Sequence, residues 1–464
     1  MRFISVLFVA LIFSINSFAQ ETVITGFAPG AERKIIQLTA PGDLITFWEK
    51  PMAEARIDST GHFKLNVILD KTTFVYISID FHKTELFLEP GQTYDLQIAA
   101  INYDEFTEVN PLIQSQNLSC TISNPAFMDL NNLIGEFNSI YSGFLMSNFN
   151  ALYRDRNKMV LDTFRVQLNQ KYGGIKNSYF VNYATYKLAA LEQLTQYYNQ
   201  AQLAKKYFSD KPVLYNNLEY MEFFNSFFSK YLTATSNIFR KIDLHPVLKS
   251  PDPYTNVFKV MAADTLLKNT RLRELVMLKG MMELYNNPNY NQDEVLLVIT
   301  QTREQSLFPE NRLVAENMIS LLTKLKPGTM APEFTLISRE IKDLSLRSLR
   351  GKPVVLCFWT TYCEGCLSEM ELIKPLYETY KDKIHFLSVS ADKYYGKMLF
   401  FINLKKDWLW MFVNIGEHSQ VLKDYDVRTY PLFVLIDKEG RIVKYPAEQP
   451  SSGLEAELQK ILKE

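Results

Sequence analysis

The sequence is poor in cysteine and has no excess of charge of either sign. Its 464 residues include four cysteines, 50 lysines and arginines, and 51 aspartates and glutamates, for a formal net charge of -1. Four cysteines are too few for a disulfide-dense scaffold. The balanced charge gives no reason to expect a nucleic acid or an anionic membrane as a partner. The low cysteine content excludes small disulfide-stapled folds, and the near-zero net charge excludes strongly basic nucleic-acid binders.

Long hydrophobic runs are absent after the first twenty residues. No later stretch approaches the ~20 apolar residues that a transmembrane helix needs. The start differs, because Arg2 is followed by an apolar segment at residues 3–15 and by small residues at Ser17 and Ala19. This is the pattern of a secretory signal. We expect residues 1–19 to be cleaved before Gln20, which leaves a periplasmic or secreted protein, soluble or peripherally membrane-associated. An uncleaved membrane anchor is the alternative.

The remaining length and composition favour several globular domains. Hydrophobic residues make up 47% of the chain and charged residues 22%, and a chain of this length typically forms about three domains. Residues 20–100 carry short β-branched or alternating runs separated by turn signals, which predict a small β-sandwich. The predicted strands lie at residues 22–27, 34–39, 44–48, 63–67, 74–79, 85–88 and 94–98.

Residues 101–326 change to helical spacing, which predicts a helical domain of about eight helices. The longest predicted helices lie at residues 127–152, 160–172, 179–203, 217–232, 256–282, 291–301 and 309–325. Aromatic residues are dense at 179–198 and 220–231. Aromatics at helical spacing usually form core, although a ligand or partner groove is the alternative. A linker at Lys326, Pro327 and Gly328 then opens the last domain, residues 327–464.

The last domain contains a dithiol motif. A short apolar run at residues 353–358 precedes the sequence W-T-T-Y-C-E-G-C at 359–366, and helical spacing follows at 367–380. A strand feeding a C-x-x-C turn that opens a helix is the layout of a redox site. Cys363 is expected at the helix N-terminus, where the helix dipole stabilises a thiolate, and Cys366 one turn further in can close the disulfide.

A zinc site is the competing interpretation of this pair. It needs a second pair of ligands, and the sequence has no other C-x-x-C and no H-x-x-x-H. The motif therefore predicts redox chemistry with no metal and no organic cofactor. Of the other cysteines, Cys357 lies in the predicted core strand and is expected to be a buried free thiol. The sequence does not assign the state of Cys120.

Four motifs of the last domain resemble the thioredoxin superfamily, and more closely its exported TlpA/ResA-type thiol-disulfide reductases. They are A-P-E-F-T-L at 331–336, R-G-K-P-V-V-L at 350–356, F-W-T-T-Y-C-E-G-C at 358–366 and Y-P-L-F-V-L-I-D at 430–437. The resemblance implies a thioredoxin-like fold for this domain. The all-β segment resembles a domain of unknown function that precedes thioredoxin domains in some secreted bacterial proteins.

The resemblance also assigns roles to residues. Cys363 is the nucleophile, Cys366 resolves the mixed disulfide, and Glu369 handles the proton of Cys366. An exposed helix-surface glutamate is the alternative for Glu369. Pro431 is expected to be a cis-proline facing the dithiol, and Tyr430, Pro431 and Trp359 are expected to bind substrate or shield the turn. The chain departs from the family at Gly365, where proline is more frequent, and at Cys357, where thioredoxin carries a buried aspartate.

The expected function is that of an exported thiol-disulfide oxidoreductase that reduces disulfides of specific exported proteins, fed with electrons by a membrane-bound donor. A disulfide oxidase or isomerase uses the same site and is the first alternative. A binding or scaffold protein with a non-catalytic thioredoxin-like domain is the second. The substrate, the redox direction, the donor and the oligomeric state are not encoded in any motif of the sequence.

Overall fold

A computed structural model describes residues 19–80, 82–100, 116–125, 129–416 and 420–463. The predicted signal segment at residues 1–19 lies outside these ranges except for its last position. Within the described ranges, no helix combines the length and the apolar character needed to cross a membrane. The described chain forms a β region, a helical region and a mixed α/β region in that order, which confirms the predicted mixture of fold classes.

The β region is a sandwich of two sheets that share one apolar core. The strands run β1 (Gln20–Phe27), β2 (Ile35–Pro41), β3 (Glu49–Arg56), β4 (His62–Leu69), β5 (Thr73–Ile79), β6 (His82–Leu88), β7 (Thr93–Ile98), β8 (Gln116–Asn117) and β9 (Cys120–Ile122). One sheet has the order β4-β1-β7-β9 and the other β3-β2-β5-β6-β8. Alternating burial along β4, with every second side chain inside, is the pattern of a strand with one face in the core.

Two expectations for this region were wrong. The sandwich continues past residue 100, because β9 pairs with β7 and β8 pairs with β6. The predicted strand at 44–48 is a loop, and the neighbouring segment β3 is the strand. The side chain of Asp43 accepts hydrogen bonds from the backbone N–H groups of Ile45 and Thr46, both at 2.8 Å. Such a local turn competes with strand pairing.

The loop at residues 42–48 joins the sandwich to the helical region. Leu44 is 6% exposed and packs into the helical core. Asn225 donates a side-chain hydrogen bond to the Leu44 carbonyl at 2.9 Å, and Asn317 donates one to the Asp43 carboxylate at 2.9 Å. The apolar residues that suggested a strand are therefore buried against another part of the chain.

The helical region has ten described α-helices. They are α1 (Leu130–Phe149), α2 (Lys158–Tyr172), α3 (Ser178–Leu194), α4 (Gln200–Tyr207), α5 (Leu218–Phe227), α6 (His245–Leu248), α7 (Pro253–Met261), α8 (Thr270–Tyr285), α9 (Gln292–Gln305) and α10 (Pro309–Thr323). Two long predicted helices are each divided. Asn199 caps α4 through a capping box, and Asn269 caps α8, so asparagines start new helices within continuous apolar periodicity.

The mixed region is built on one seven-stranded sheet with helices on both faces. It contains β10 (Thr335–Ser338), β11 (Asp343–Ser345), β12 (Val354–Trp359), β13 (His385–Ser390), β14 (Met411–Asn414), β15 (Leu432–Ile436) and β16 (Ile442–Lys444), with α11 (Glu364–Tyr380), α12 (Tyr395–Leu404), α13 (Gln420–Asp424) and α14 (Leu454–Ile461). The sheet order is β11-β10-β14-β13-β12-β15-β16. All six residues of β12 are buried, because the strand is central and covered on both faces.

We expect Leu44→Ala to destabilise the seam between the sandwich and the helical region. The substitution leaves a cavity in a packed core, which costs about 2–4 kcal/mol in free energy of unfolding. Differential scanning calorimetry of the whole chain measures it as a lower midpoint of the transition that includes this seam. Ile68→Ala is the matched control, because Ile68 is 73% exposed. Equal midpoints for the two variants would contradict the role of the loop.

Candidate active site

The dithiol lies where β12 ends and α11 begins. Cys363 is the N-cap residue of α11, and its sulfur accepts a hydrogen bond from the Cys366 backbone N–H at 3.1 Å. The two cysteines form a disulfide with a Cα–Cα distance of 5.2 Å. The predicted strand–turn–helix layout is therefore present. An N–H donor aimed at sulfur, together with the positive end of the helix dipole, stabilises a thiolate at Cys363 once the disulfide is reduced.

The two sulfurs differ in their access to solvent. Cys366 is 0% exposed, whereas Cys363 is only partly buried. A disulfide on another protein can therefore meet Cys363 but not Cys366. This asymmetry allows an attack in two stages, with the outer sulfur acting first and the inner sulfur second.

Glu369 lies one helical turn after Cys366 and is 9% exposed. Its two carboxylate oxygens accept hydrogen bonds from Ser451, one from the backbone N–H at 3.0 Å and one from the hydroxyl at 2.5 Å. The alternative interpretation of Glu369 as an exposed helix-surface residue is therefore wrong. Ser451 belongs to the segment before α14, about eighty residues along the chain, and no local motif identified it.

The other two cysteines are free thiols. Cys357 is 1% exposed; burial raises its pKa, and the negative charge of Glu369 raises it further. Cys357 is therefore a protonated thiol at neutral pH, as its place in the core strand predicted. Cys120 starts β9, and partial burial raises its pKa to about 11.

A buried carboxylate fixes the turn in front of Cys363. Asp392 is 0% exposed and accepts hydrogen bonds from the Thr361 hydroxyl at 2.7 Å, the Thr361 N–H at 3.1 Å and the Ser390 hydroxyl at 2.7 Å. Lys397 forms an ion pair with it at 3.8 Å. A buried charge is tolerated when it is paired and fully hydrogen-bonded. The network holds Thr361 two residues before the nucleophilic sulfur.

Two tyrosines stand beside the dithiol turn. Tyr362, directly before Cys363, is 38% exposed, and the Lys397 ammonium lies 5.0 Å from the centre of its ring. Burial raises the pKa of Tyr430, and its neighbours Tyr362 and Asp392 raise it further. The Tyr430–Pro431 peptide bond is cis, as the resemblance implied. Tyr430 and Cys363 both pack against the core cluster that contains Trp359 and Cys366.

Comparison with known proteins identifies this domain. The profile of the AhpC/TSA family matches residues 327–445. The thiol-disulfide oxidoreductase ResA of Bacillus cereus is 36% identical over 140 residues, which cover 30% of this chain and 80% of ResA. The thioredoxin-like protein YneN of Bacillus subtilis is 30% identical over 121 residues, which cover 25% of this chain and 69% of YneN. This chain belongs to the ResA-type thiol-disulfide oxidoreductases.

A solved structure also matches this region. The thioredoxin domain of a thiol-disulfide oxidoreductase from Bacteroides vulgatus is 26% identical with a TM-score of 0.28, and the match covers 30% of this chain and 99% of that domain. The similarity to ResA is confined to less than a third of the chain. The sandwich and the helical region are thus additions to a ResA-type domain.

The position of Trp359 corrects one expectation for this ResA-type site. Trp359 is 0% exposed and packs against Phe401, Trp408 and Phe412, with ring centroids about 6 Å apart. A fully enclosed side chain cannot touch a substrate, so Trp359 belongs to the core under the turn. Tyr362 occupies the exposed position next to the nucleophile, and it was not among the predicted site residues.

The described residues contain no group of three or more histidine, cysteine, aspartate or glutamate side chains arranged to hold a metal ion. Asp392 and Glu369 are buried carboxylates of the site. Asp392 lies in the loop between β13 and α12, and Glu369 lies on α11.

We expect Thr361→Val to weaken the redox domain, because it removes a hydroxyl donor from a buried carboxylate. Hydrogen bonds to charged groups contribute about 1.5–3 kcal/mol to the free energy of unfolding. Urea unfolding followed by tryptophan fluorescence measures the loss, since three of the four tryptophans lie in this domain.

Thr360→Val is the matched control for this substitution. Thr360 is 0% exposed, and its hydroxyl has no hydrogen-bond partner among the described residues. Removing an unpaired buried hydroxyl is neutral or stabilising. If the two valine variants unfold at the same urea concentration, the Asp392 network does not support the turn as described.

Proposed function

We propose that this protein is an exported reductase that transfers electrons from the Cys363–Cys366 dithiol to disulfides of exported proteins. The observation that carries the proposal is the order of exposure in the site: Cys363 is partly exposed, and Cys366 and Glu369 are buried behind it. Cys363 can therefore reach a disulfide on a large protein substrate, whereas Cys366 and Glu369 are shielded from that substrate and can act only in the second step. The similarity to ResA supports thiol-disulfide chemistry for the site.

The first step is an attack of the Cys363 thiolate on one sulfur of the substrate disulfide. The substrate S–S bond breaks, its second sulfur leaves as a thiolate, and a mixed disulfide forms at Cys363. The amide N–H of Cys366 stabilises the thiolate before attack. Tyr362 and the Tyr430–Pro431 segment border Cys363 and form the surface on which the substrate chain rests.

The second step releases the reduced substrate. Glu369 takes the proton of Cys366, and the Cys366 thiolate attacks the Cys363 sulfur. The bond between Cys363 and the substrate breaks, and the substrate sulfur that was attacked in the first step leaves as a thiolate. Two electrons have then passed from the protein to the substrate, and the protein holds the disulfide seen in the structure. Ser451 orients Glu369 through its two hydrogen bonds and keeps both oxygens in place.

Repeated turnover requires a source of two electrons for each disulfide. We propose a membrane-bound thiol donor, because the signal-like segment at residues 1–19 directs the chain out of the cytoplasm, away from soluble cytoplasmic reductants. In this scheme Cys363 reacts both with the substrate disulfide and with the thiol of the donor, since it is the accessible sulfur of the pair.

The test of direction is the equilibrium reduction potential of the Cys363–Cys366 pair, titrated against glutathione or dithiothreitol buffers. We expect a value well below the ~-180 mV of an isomerase-like site. A value near the ~-120 mV of a strong oxidant would overturn the reductase assignment and favour disulfide formation. If Cys363 and Cys366 cannot be reversibly reduced and oxidised, the catalytic assignment fails and the scaffold alternative is favoured.

Trapping separates the catalytic assignment from that alternative. Cys366→Ser is expected to accumulate a mixed disulfide with its substrate, which is visible on non-reducing gels and cleaved by dithiothreitol. Cys363→Ser is expected to form none. A scaffold instead binds its partner equally well, without a covalent link, in both variants.

We expect Glu369→Gln to slow the second step and leave the first unchanged. General-base assistance contributes roughly 10²–10⁴-fold, so release of reduced substrate falls by about 10²-fold near neutral pH. The difference in release rate between Glu369→Gln and the unsubstituted protein becomes smaller as the pH rises, because hydroxide then deprotonates Cys366 without the carboxylate. Stopped-flow measurement of mixed-disulfide formation and decay separates the two steps.

Glu371→Gln is the matched control, because Glu371 lies on the same helix, is exposed and pairs with Lys405 at 2.7 Å. It is expected to match the unsubstituted protein in both steps. A pH-independent loss in Glu369→Gln would indicate a structural role for Glu369 instead of proton transfer.

A further inference from the structure

An exposed apolar surface lies at the end of the first helical hairpin, far along the chain from the dithiol. It consists of residues 146–159, called here the hairpin tip. Four large side chains are exposed within these fourteen residues: Met146 (82%), Phe149 (51%), Tyr153 (56%) and Met159 (78%). Single exposed apolar side chains are ordinary on soluble proteins, but a local concentration of them marks an interaction surface.

The local fold explains why these side chains point outward. α1 ends at Phe149, a π-helical turn covers Asn150–Arg154, and α2 begins at Lys158. Leu152 and Leu161 are 0% exposed and pack together with Leu191 on the inner side of the hairpin. The inner face is therefore already filled, and the outer apolar side chains have no part of the core to enter.

The outer side chains form a row. Met146 and Phe149 lie in the last turn of α1, and Tyr153 follows in the π-helical turn. The rings of Phe149 and Tyr153 stack with centroids 5.4 Å apart. Residues 153–159 are all exposed, so the tip projects from the body of the helical region.

The charge of the tip differs from that of the whole chain. Residues 137–153 contain no charged side chain, and Arg154, Arg156 and Lys158 then follow within five residues. Asp155 is the one acid among them and pairs with Arg154 at 2.9 Å. The near-neutral balance of the full sequence gave no reason to expect an anionic surface as partner. The net charge of the whole chain does not show that three cations are concentrated here, next to an uncharged apolar row.

We propose that the hairpin tip docks on the surface of an anionic phospholipid bilayer. The apolar row enters the boundary between headgroups and acyl chains, and the three cations stay at the phosphate level on their long side chains. Apolar and aromatic side chains next to arginine and lysine on one projecting end match the two layers of a bilayer interface. The helix lies on the membrane and does not cross it, in keeping with the described helices.

Vesicle co-sedimentation tests this proposal with the whole chain as isolated. Vesicles of phosphatidylcholine alone are compared with vesicles that also contain phosphatidylglycerol. Mass spectrometry of each preparation verifies that all variants share the same N-terminus, so that the apolar segment at residues 3–15, where retained, contributes equally to each. We expect binding to the anionic vesicles, weak binding to the neutral ones, and loss of binding as salt rises.

Two variants remove the two parts of the surface separately. Arg154→Gln combined with Lys158→Gln is expected to weaken binding by roughly thirty-fold, since each cation near an anionic surface contributes about a five-fold factor. Met146→Ser combined with Met159→Ser is expected to weaken it at least about ten-fold, because both methionines lose apolar burial in the bilayer. Neither pair belongs to the redox site, so disulfide reduction in solution is expected to be unchanged.

Leu307→Ser combined with Leu404→Ser is the matched control. It removes two apolar side chains that are 88% and 68% exposed elsewhere on the chain and is expected to bind as the unsubstituted protein does. Three outcomes overturn the proposal: no binding to anionic vesicles, binding that the tip variants do not weaken, or equal loss in the control. A lower molecular mass of the tip variants in lipid-free solution also overturns it, because a second copy then covers the tip.

Discussion

Register in one sheet places the whole redox site. β12 pairs with β13 in parallel and with β15 antiparallel, so that Trp359 lies opposite Ser390 and Phe358 lies opposite Leu432. The end of β12 therefore meets the end of β13 and the beginning of β15 at a single point. The dithiol turn follows the first strand and Asp392 follows the second, while Pro431 precedes the third. A shift of one residue in either pairing would separate these groups and reverse the faces of the strand.

The two buried carboxylates of the site, Asp392 and Glu369, have different hydrogen-bond and ion-pair partners. Asp392 accepts hydrogen bonds from Ser390 at the end of β13 and from Thr361 in the turn, and it forms an ion pair with Lys397, so its charge holds the turn. Glu369 accepts both of its described hydrogen bonds from Ser451, and its negative charge raises the pKa of the buried Cys357 thiol. The position that holds an aspartate in thioredoxin is occupied here by the uncharged Cys357, and the proposed mechanism assigns the proton of Cys366 to Glu369.

Sequence reasoning found what is local in this site and missed what depends on packing. The strand, the C-x-x-C turn and the helix follow from one continuous motif, whereas the cis Tyr430–Pro431 bond and the choice of Glu369 came from the family resemblance. Asp392 and Ser451 carry no local signal, since their roles arise from contacts with residues 31 and 82 positions away. Trp359 was expected to bind substrate or shield the turn, but it is the last of six buried residues of β12 and lies in the core. The prediction of a strand at 44–48 was wrong for a similar reason, because apolar residues of this segment pack against the helical region and not within the sandwich.

The helical region shows where such a domain can act. Its dense aromatics at 179–198 and 220–231 were expected to be core. Those at 179–186 and 220–231 are buried, with Tyr220, Phe223 and Phe228 each 1% exposed, whereas Tyr197 and Tyr198 are only partly buried. Side chains so enclosed stabilise the region but present nothing to a partner. Two of its surfaces make the contacts discussed above: one packs against the loop at 42–48, and the hairpin tip carries apolar and cationic groups outward. Because the aromatic interior is filled, any contact with a membrane must be made by exposed side chains such as those of the tip.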